Sequence, residues 1–214
     1  MPFRPTHPAI SAALTEREYH EPTPVQDAVV EPNAEGRDLL VSAQTGSGKT
    51  VAYGLALVST LLGDDDALPE AGEPLALIVA PTRELALQVQ RELEWLYAKT
   101  NARVVTCVGG MDPRAEQKAL ARGAHIVVGT PGRLRDHLER GRLRIGLLKA
   151  VVLDEADEML NLGFREDLEF ILEATPASRR TLMFSATLPK SITAMTKRYQ
   201  KDALRIEVTA GSSS

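Results

Sequence analysis

The chain has 214 residues, 43% hydrophobic and 25% charged, and a formal net charge of −4. That length suits one sizeable α/β domain and is short for two, and the composition is neither disordered nor fibrous. No apolar run reaches the ~18 residues of a membrane span, the N-terminus lacks an apolar signal core, and the acidic balance argues against a general electrostatic grip on nucleic acid, so a cytoplasmic location is expected.

Residues 1–36 carry no strong strand signal. Ile10 and Leu14 give a short helical stripe, and Glu21-Pro22-Thr23-Pro24-Val25-Gln26 is an extended turn that opens a second helix. From Leu39 onward, short apolar runs alternate with helical segments. Strands are expected over 39–42, 75–80, 103–108, 125–129, 149–153, 180–184 and 204–208, with helices near 49–62, 83–99, 113–122, 131–139, 156–173 and 189–199. Apolar strands separated by helices predict an α/β domain, doubly wound, with a mostly parallel sheet covered on both faces. The stretch from Gly63-Asp64-Asp65-Asp66 to Pro74 reads as a solvated acidic loop, and Ala210–Ser214 as flexible linker. The only cysteine, Cys107, lies in the apolar run 104–108 and reads as a buried thiol in a reducing compartment. His7, His20, His125 and His137 show no metal-ligand spacing.

Two stretches carry chemistry. Ala43-Gln44-Thr45-Gly46-Ser47-Gly48-Lys49-Thr50 follows the strand Leu39-Leu40-Val41 and precedes a helical segment, the context a phosphate loop needs. Its glycines let backbone N–H groups turn onto phosphate oxygens, and the helix N-terminus adds its positive end. Lys49 would reach the outer phosphates and the Thr50 hydroxyl would ligate Mg²⁺. Asp154-Glu155-Ala156-Asp157 directly follows the strand Ala150-Val151-Val152-Leu153. Ligands of open α/β sheets sit beyond the carboxyl ends of strands, so Asp154 is assigned to the metal and Glu155 to orienting a water. The competing reading of these acids is a helix start decorated for its dipole.

Further short motifs follow in order: Pro81-Thr82-Arg83-Glu84-Leu85, Gly109-Gly110, Thr130-Pro131-Gly132-Arg133 and Ser185-Ala186-Thr187. Together with the phosphate loop and the literal Asp-Glu-Ala-Asp, they make a set that resembles the N-terminal RecA-like domain of a DEAD-box RNA helicase, from about Ile10 to about Val208. Ala43 in place of the general pattern's glycine is also that family's habit. The resemblance implies ATP and Mg²⁺ as cofactors, RNA held by its backbone, and local duplex unwinding driven by ATP. Tyr19 to Gln26 resembles the adenine-recognising Q motif: Gln26 has the donor and acceptor to pair with adenine, and Tyr19 stands where the family stacks a ring on the base. Two departures stand out, Glu18 at a position usually held by glycine and Phe3 closer to Tyr19 than the family's upstream aromatic. Pro81, Thr82, Arg83, Gly109, Gly110, Thr130, Pro131, Gly132, Arg133, Gly163 and Phe164 are carried over as the RNA surface, where loop N–H groups and hydroxyls grip phosphates without reading bases. Asp157, Ser185 and Thr187 are carried over as the coupling between nucleotide state and RNA grip.

The resemblance divides the chain into a Q-motif segment (1–36), an ATP-binding domain (37–209) and a tail (210–214). The family's second RecA-like domain, which supplies arginine fingers and half of the RNA clamp, has no counterpart in these residues. The fragment is therefore expected to be monomeric, to bind nucleotide and to hydrolyse it very slowly alone. Alternatives at this stage are a non-enzymatic ATP- and RNA-responsive clamp and a DNA-directed helicase on the same scaffold.

Overall fold

Seven short apolar runs lie side by side and hydrogen-bond in parallel: β1 (Leu39–Ser42), β2 (Ala76–Val79), β3 (Val104–Cys107), β4 (Ile126–Gly129), β5 (Ala150–Leu153), β6 (Arg180–Ser185) and β7 (Leu204–Glu207). Their order across the sheet is β3-β4-β2-β5-β6-β1-β7. This computed structural model describes residues 1–208, and the tail expected over 210–214 lies outside the described residues. Every expected strand is present, each within a residue or two of its predicted ends.

The helices are α1 (Pro8–Glu16), α2 (Pro24–Ala28), α3 (Lys49–Ala56), α4 (Val58–Leu62), α5 (Arg83–Leu96), α6 (Pro113–Ala121), α7 (Pro131–Glu139), α8 (Ala156–Asn161), α9 (Arg165–Ala174) and α10 (Lys190–Tyr199). Their starts follow capping chemistry. The Thr82 hydroxyl accepts the Leu85 N–H at the head of α5, and the Asp112 carboxylate accepts the Arg114 N–H at the head of α6. Alternation along the strands feeds two cores: Leu39, Val41, Ile78 and Val152 face one side with α1, α3 and α5, while Leu40, Leu77, Val79 and Val151 face the other with α7 to α10. Each fully buried aliphatic side chain contributes about 1.5–3 kcal/mol of transfer free energy, so burial on both faces explains why the strands read as continuous apolar runs.

Two expected helices are broken, each for a visible reason. The segment expected over 156–173 stops at Leu162, where Gly163 takes a left-handed φ of +89°. The Gly163 N–H bonds to the Leu160 carbonyl and the Phe164 N–H to the Met159 carbonyl, a Schellman ending that a long apolar periodicity conceals. The segment expected over 49–62 is interrupted at Leu57, where the Ala56 carbonyl is taken by the Arg180 guanidinium at 2.6 Å instead of by the next helical turn.

That guanidinium is itself a fold-level tie. Arg180 is 5% exposed and donates to the carbonyls of Arg37 (2.6 Å), Ala56 (2.6 Å) and Ala34 (2.9 Å) and to the Thr60 hydroxyl (3.2 Å). It fastens the N-terminal segment to the back of α3 and α4. Burial pushes its pKa down from the ordinary arginine range, an effect the nearby Asp38 and Glu35 charges oppose. Arg180→Met keeps the stem and orphans three carbonyls; urea unfolding is expected to show a loss of roughly 3 kcal/mol, and a change under 1 kcal/mol would mean that water replaces the guanidinium.

Candidate nucleotide site and adjoining loops

The carboxyl ends of β1, β6 and β5 stand next to one another, because β6 is inserted between the other two. The loop leaving β1 is anchored by the Ala43 N–H on the Ser185 carbonyl (3.1 Å) at the end of β6. It turns through Gly46 (φ +84°) and Gly48 (φ +80°) into α3. A Cβ at Gly48 would come within 2.5 Å of the Gln26 amide nitrogen, so that position needs glycine for both its φ and its neighbour.

Lys49, the first residue of α3, sends its ammonium across the end of β6 to 3.0 Å from Asp154 Oδ1 and 3.5 Å from Glu155 Oε1. Asp154 is fully buried, and its Oδ1 accepts no well-directed hydrogen bond, leaving Lys49 as its counter-charge. Its Oδ2 accepts a 2.9 Å bond from the phenol of Tyr53, one turn beyond Lys49 on the same face of α3. Burial and then the Asp154 charge hold the Tyr53 phenol well above its ordinary pKa, so it remains a donor. Tyr53 is also wedged edge-on against Phe184 of β6, with centroids 5.2 Å apart. In the sequence Tyr53 belongs to the apolar spacing of α3; the signal for more is a phenol placed one turn after the loop lysine.

Glu155 stands at φ +51°, ψ +52°, a left-handed conformation that costs a non-glycine residue about 1–2 kcal/mol. Asp157, in the first turn of α8, accepts from the Thr187 N–H (3.1 Å) and hydroxyl (2.9 Å), while the Ser185 hydroxyl donates to the Thr187 carbonyl (2.5 Å). The three predicted coupling residues therefore form one chain of bonds from β6 to α8.

The residues carried over from the Q motif are placed differently. Gln26 is 1% exposed; its oxygen accepts the Thr23 N–H (3.0 Å) in a capping box on α2, and its nitrogen donates to the Gly48 carbonyl (3.1 Å). Each amide atom thus retains one free position. Tyr19 packs its ring on Trp95 at 5.2 Å, with Arg17 on the same indole; among the described residues no hydrogen bond or ring contact joins Tyr19 to the loop. Trp95 is half-buried and packs against the first core.

The expected strand-contacting loops gather beyond β2, β3 and β4. Thr82, Arg83, Gly109, Gly110 and Gly132 are exposed, Thr130 is half-buried, and Pro81 and Pro131 are buried. The Gly109 N–H donates to the Thr130 hydroxyl (3.4 Å), Arg83 Nη2 donates to Met111 Sδ (3.3 Å), and Arg133 Nη1 donates to the Met111 carbonyl (3.0 Å). Gly163 is exposed at the end of α8, and Phe164 is half-buried against the second core.

The loop suits a polyphosphate and the donor set suits a hard cation. Ser47 Oγ is buried without a partner, and Asp154, at the end of β5, pairs with the Lys49 ammonium at the foot of the loop. Large grooves elsewhere, of about 770 and 860 Å³, lie at the amino ends of the strands and contain none of these groups.

A parallel sheet with a glycine loop at one strand end and an Asp-Glu pair two strands away defines a RecA-like phosphate-loop domain. The family model described as DEAD/DEAH box helicase matches residues 23–195. The chain is 42% identical over 201 residues to the DEAD-box ATP-dependent RNA helicase CshA of Geobacillus kaustophilus, covering 94% of this chain and 42% of that protein. It is 43% identical over 200 residues to the ATP-dependent RNA helicase DeaD of Klebsiella pneumoniae, covering 93% and 30%. The crystal structure of a DEAD box protein from the hyperthermophile Methanococcus jannaschii matches with a TM-score of 0.84 at 39% identity, over 94% of this chain and 54% of that one. This chain belongs to the DEAD/DEAH box helicase family. It spans less than half the length of the curated relatives it matches.

The Asp157 cluster gives a pH-dependent readout. Burial alone would raise the Asp157 carboxyl, but the bonds from Thr187, with smaller help from Ser185 and the Glu158 N–H, hold it below its ordinary value. A lowered folded-state value contributes stability above the ordinary carboxylate range that is lost as the pH falls through it. Thr187→Val removes the hydroxyl bond, so carboxyl NMR titration should show Asp157 moving up and acid unfolding starting at higher pH. An unmoved Asp157 titration would show that the Thr187 hydroxyl is not what holds it.

Proposed function

We propose that this chain is the ATP-binding, N-terminal RecA-like domain of an ATP-dependent RNA helicase, with residues 1–36 as a Q-motif segment and 37–209 as the nucleotide domain, working against a second RecA-like domain. The observation that carries the reading is the Lys49 ammonium poised between the glycine loop and the Asp154–Glu155 pair. A triphosphate on the loop offers Lys49 a stronger anion than the carboxylates, so Lys49 turns toward it. Asp154, with the Tyr53 phenol on its other oxygen, and Thr50 are the residues that would hold Mg²⁺, which would supply charge neutralisation on the phosphates. Glu155 orients the attacking water, and the left-handed backbone at that residue fixes its direction. Gly109, Thr130 and their neighbours hold the backbone of one RNA strand, which needs no net positive charge because loop N–H groups do much of the gripping. A cytoplasmic location fits a chain in which no described helix is long and apolar enough to cross a membrane.

The direct test is titration of this chain with Mg-ATP and Mg-GTP. ATP is expected to bind about tenfold or more tightly, through the free donor and acceptor of Gln26, and Lys49→Ala to abolish both. Equal affinities would return Gln26 to its capping box alone; binding unaffected by Lys49→Ala would remove the nucleotide site from this loop.

Tyr53→Phe is isosteric and leaves the fold intact. Because the phenol orients Asp154, the variant should bind nucleotide without Mg²⁺ as the native chain does, yet need roughly tenfold more Mg²⁺ for the metal-linked gain in affinity. An unchanged Mg²⁺ dependence would reduce Tyr53 to a packing residue.

A further inference from the structure

Beneath the exposed loops lies a buried polar cluster that the nucleotide site does not use. Glu116, in the first turn of α6, is 6% exposed. Its Oε2 accepts the Val108 N–H (2.8 Å) at the point where β3 gives way to Gly109. Its Oε1 accepts both Arg133 Nη1 (2.9 Å) and His137 Nε2 (2.8 Å), from the first and second turns of α7. The same Arg133 nitrogen reaches the Met111 carbonyl (3.0 Å), and the Gly109 N–H reaches the Thr130 hydroxyl (3.4 Å). One carboxylate therefore ties the end of β3, the Gly109–Met111 loop and the Thr130–Arg133 turn into a single body.

Two simpler explanations are weaker. Cys107, Glu116 and His137 bring ligand atoms within 4.8 Å of one another, a juxtaposition that the sequence spacing did not show. A cation there would have to displace a guanidinium from the oxygen it needs, and burial, followed by the Glu116 charge, pushes the Cys107 thiol well up so that it stays protonated. A purely stabilising role fits poorly as well, because well-packed apolar residues usually serve a buried site as well as an ion pair or better. What an ion pair with fixed bond directions adds is position.

We propose that Glu116 is the positioning residue of the strand-contacting face: through Arg133 it sets the spacing of the Gly109–Gly110 and Thr130–Arg133 loops, so that both address one RNA backbone. The proposal rests on the RNA reading above. Arg133 is then first a brace, 14% exposed at its side chain, and its charge acts on RNA from a fixed place.

The test measures binding of a fluorescent oligouridine and, separately, of Mg-ATP to this 214-residue chain and its variants. Glu116→Gln keeps size and one acceptor but cannot neutralise Arg133, and Arg133→Lys keeps the charge but loses the directed fork. Each is expected to weaken oligouridine binding about tenfold with Mg-ATP affinity unchanged, and the double variant to lose no more than the worse single one. Full oligouridine affinity in Glu116→Gln, or additive losses in the double variant, would overturn the proposal. Should Glu116→Gln fail to fold, Arg133→Lys decides alone, because an arginine that only met phosphate by charge would tolerate lysine. A native chain that binds Mg-ATP but no oligouridine would instead remove the RNA reading itself, and the proposal with it.

Discussion

The ion pair between Lys49 and Asp154 is the constraint on which the rest of the site depends. Asp154 has no exposed surface, and burying a carboxylate is costly unless a cation pairs with it; among the described residues the Lys49 ammonium, 3.0 Å away, does so. Lys49 fills that role from the far side of β6, and the Tyr53 phenol occupies the other carboxylate oxygen. The single Lys49 ammonium thus stands against two carboxylates, Asp154 at 3.0 Å and Glu155 at 3.5 Å. In the proposed function a nucleotide does not enter an empty cavity. It would compete with the carboxylates for the Lys49 ammonium, and Asp154 would then be free to hold a cation.

Because β6 lies between β1 and β5, whatever happens at that exchange is felt along one strand end. Ala43 hangs on the Ser185 carbonyl, Ser185 bonds to Thr187, and Thr187 holds Asp157, three residues beyond the carboxylate that Lys49 neutralises. On the other flank Gln26 bonds to Gly48, so α2 is fastened to the glycine loop as well. The glycine loop is thus hydrogen-bonded to the N-terminal segment on one side and, through Ser185 and Thr187, connected to α8 on the other. The Gly109–Met111 and Thr130–Arg133 loops are tied together around Glu116, further along the sheet. In the proposed function, this separation would let a nucleotide-dependent movement be delivered to a preformed RNA surface.

Much of this was legible in the residues. The seven strands and their parallel arrangement follow from apolar runs bounded by turn chemistry, and the phosphate loop and acid pair follow from glycine spacing at strand ends. What stayed hidden was of three physical kinds. The break at Leu57 depends on Arg180, more than a hundred positions away, competing for a helical carbonyl, and no local pattern encodes that. The roles of Tyr53 and Glu116 depend on which buried polar groups meet across the sheet, whereas a single residue's spacing only says that it is buried. Gln26 shows a third kind: its amide bonds in a capping box and to the loop while keeping one donor and one acceptor position, and the motif spacing alone shows neither bond.

The left-handed backbone at Glu155 completes the picture, since it is the one place in the site where the chain adopts a conformation its residue type disfavours. Glycine there would relieve strain of about 1–2 kcal/mol but would carry no carboxylate. The strain is sustained because β5 is locked between β2 and β6 immediately before it, and α8 is fixed immediately after it by the Asp157–Thr187 bonds. With both ends of the turn held, the side chain of Glu155 leaves the backbone in the one direction that brings it within 3.5 Å of Lys49. A glutamate in relaxed helical geometry at that point would be free to follow the helix surface into solvent. The buried sheet on one side and the Asp157 cluster on the other therefore do more than stabilise: they hold the acid against its own conformational preference, at the spot where the proposed reaction needs a water to be aimed.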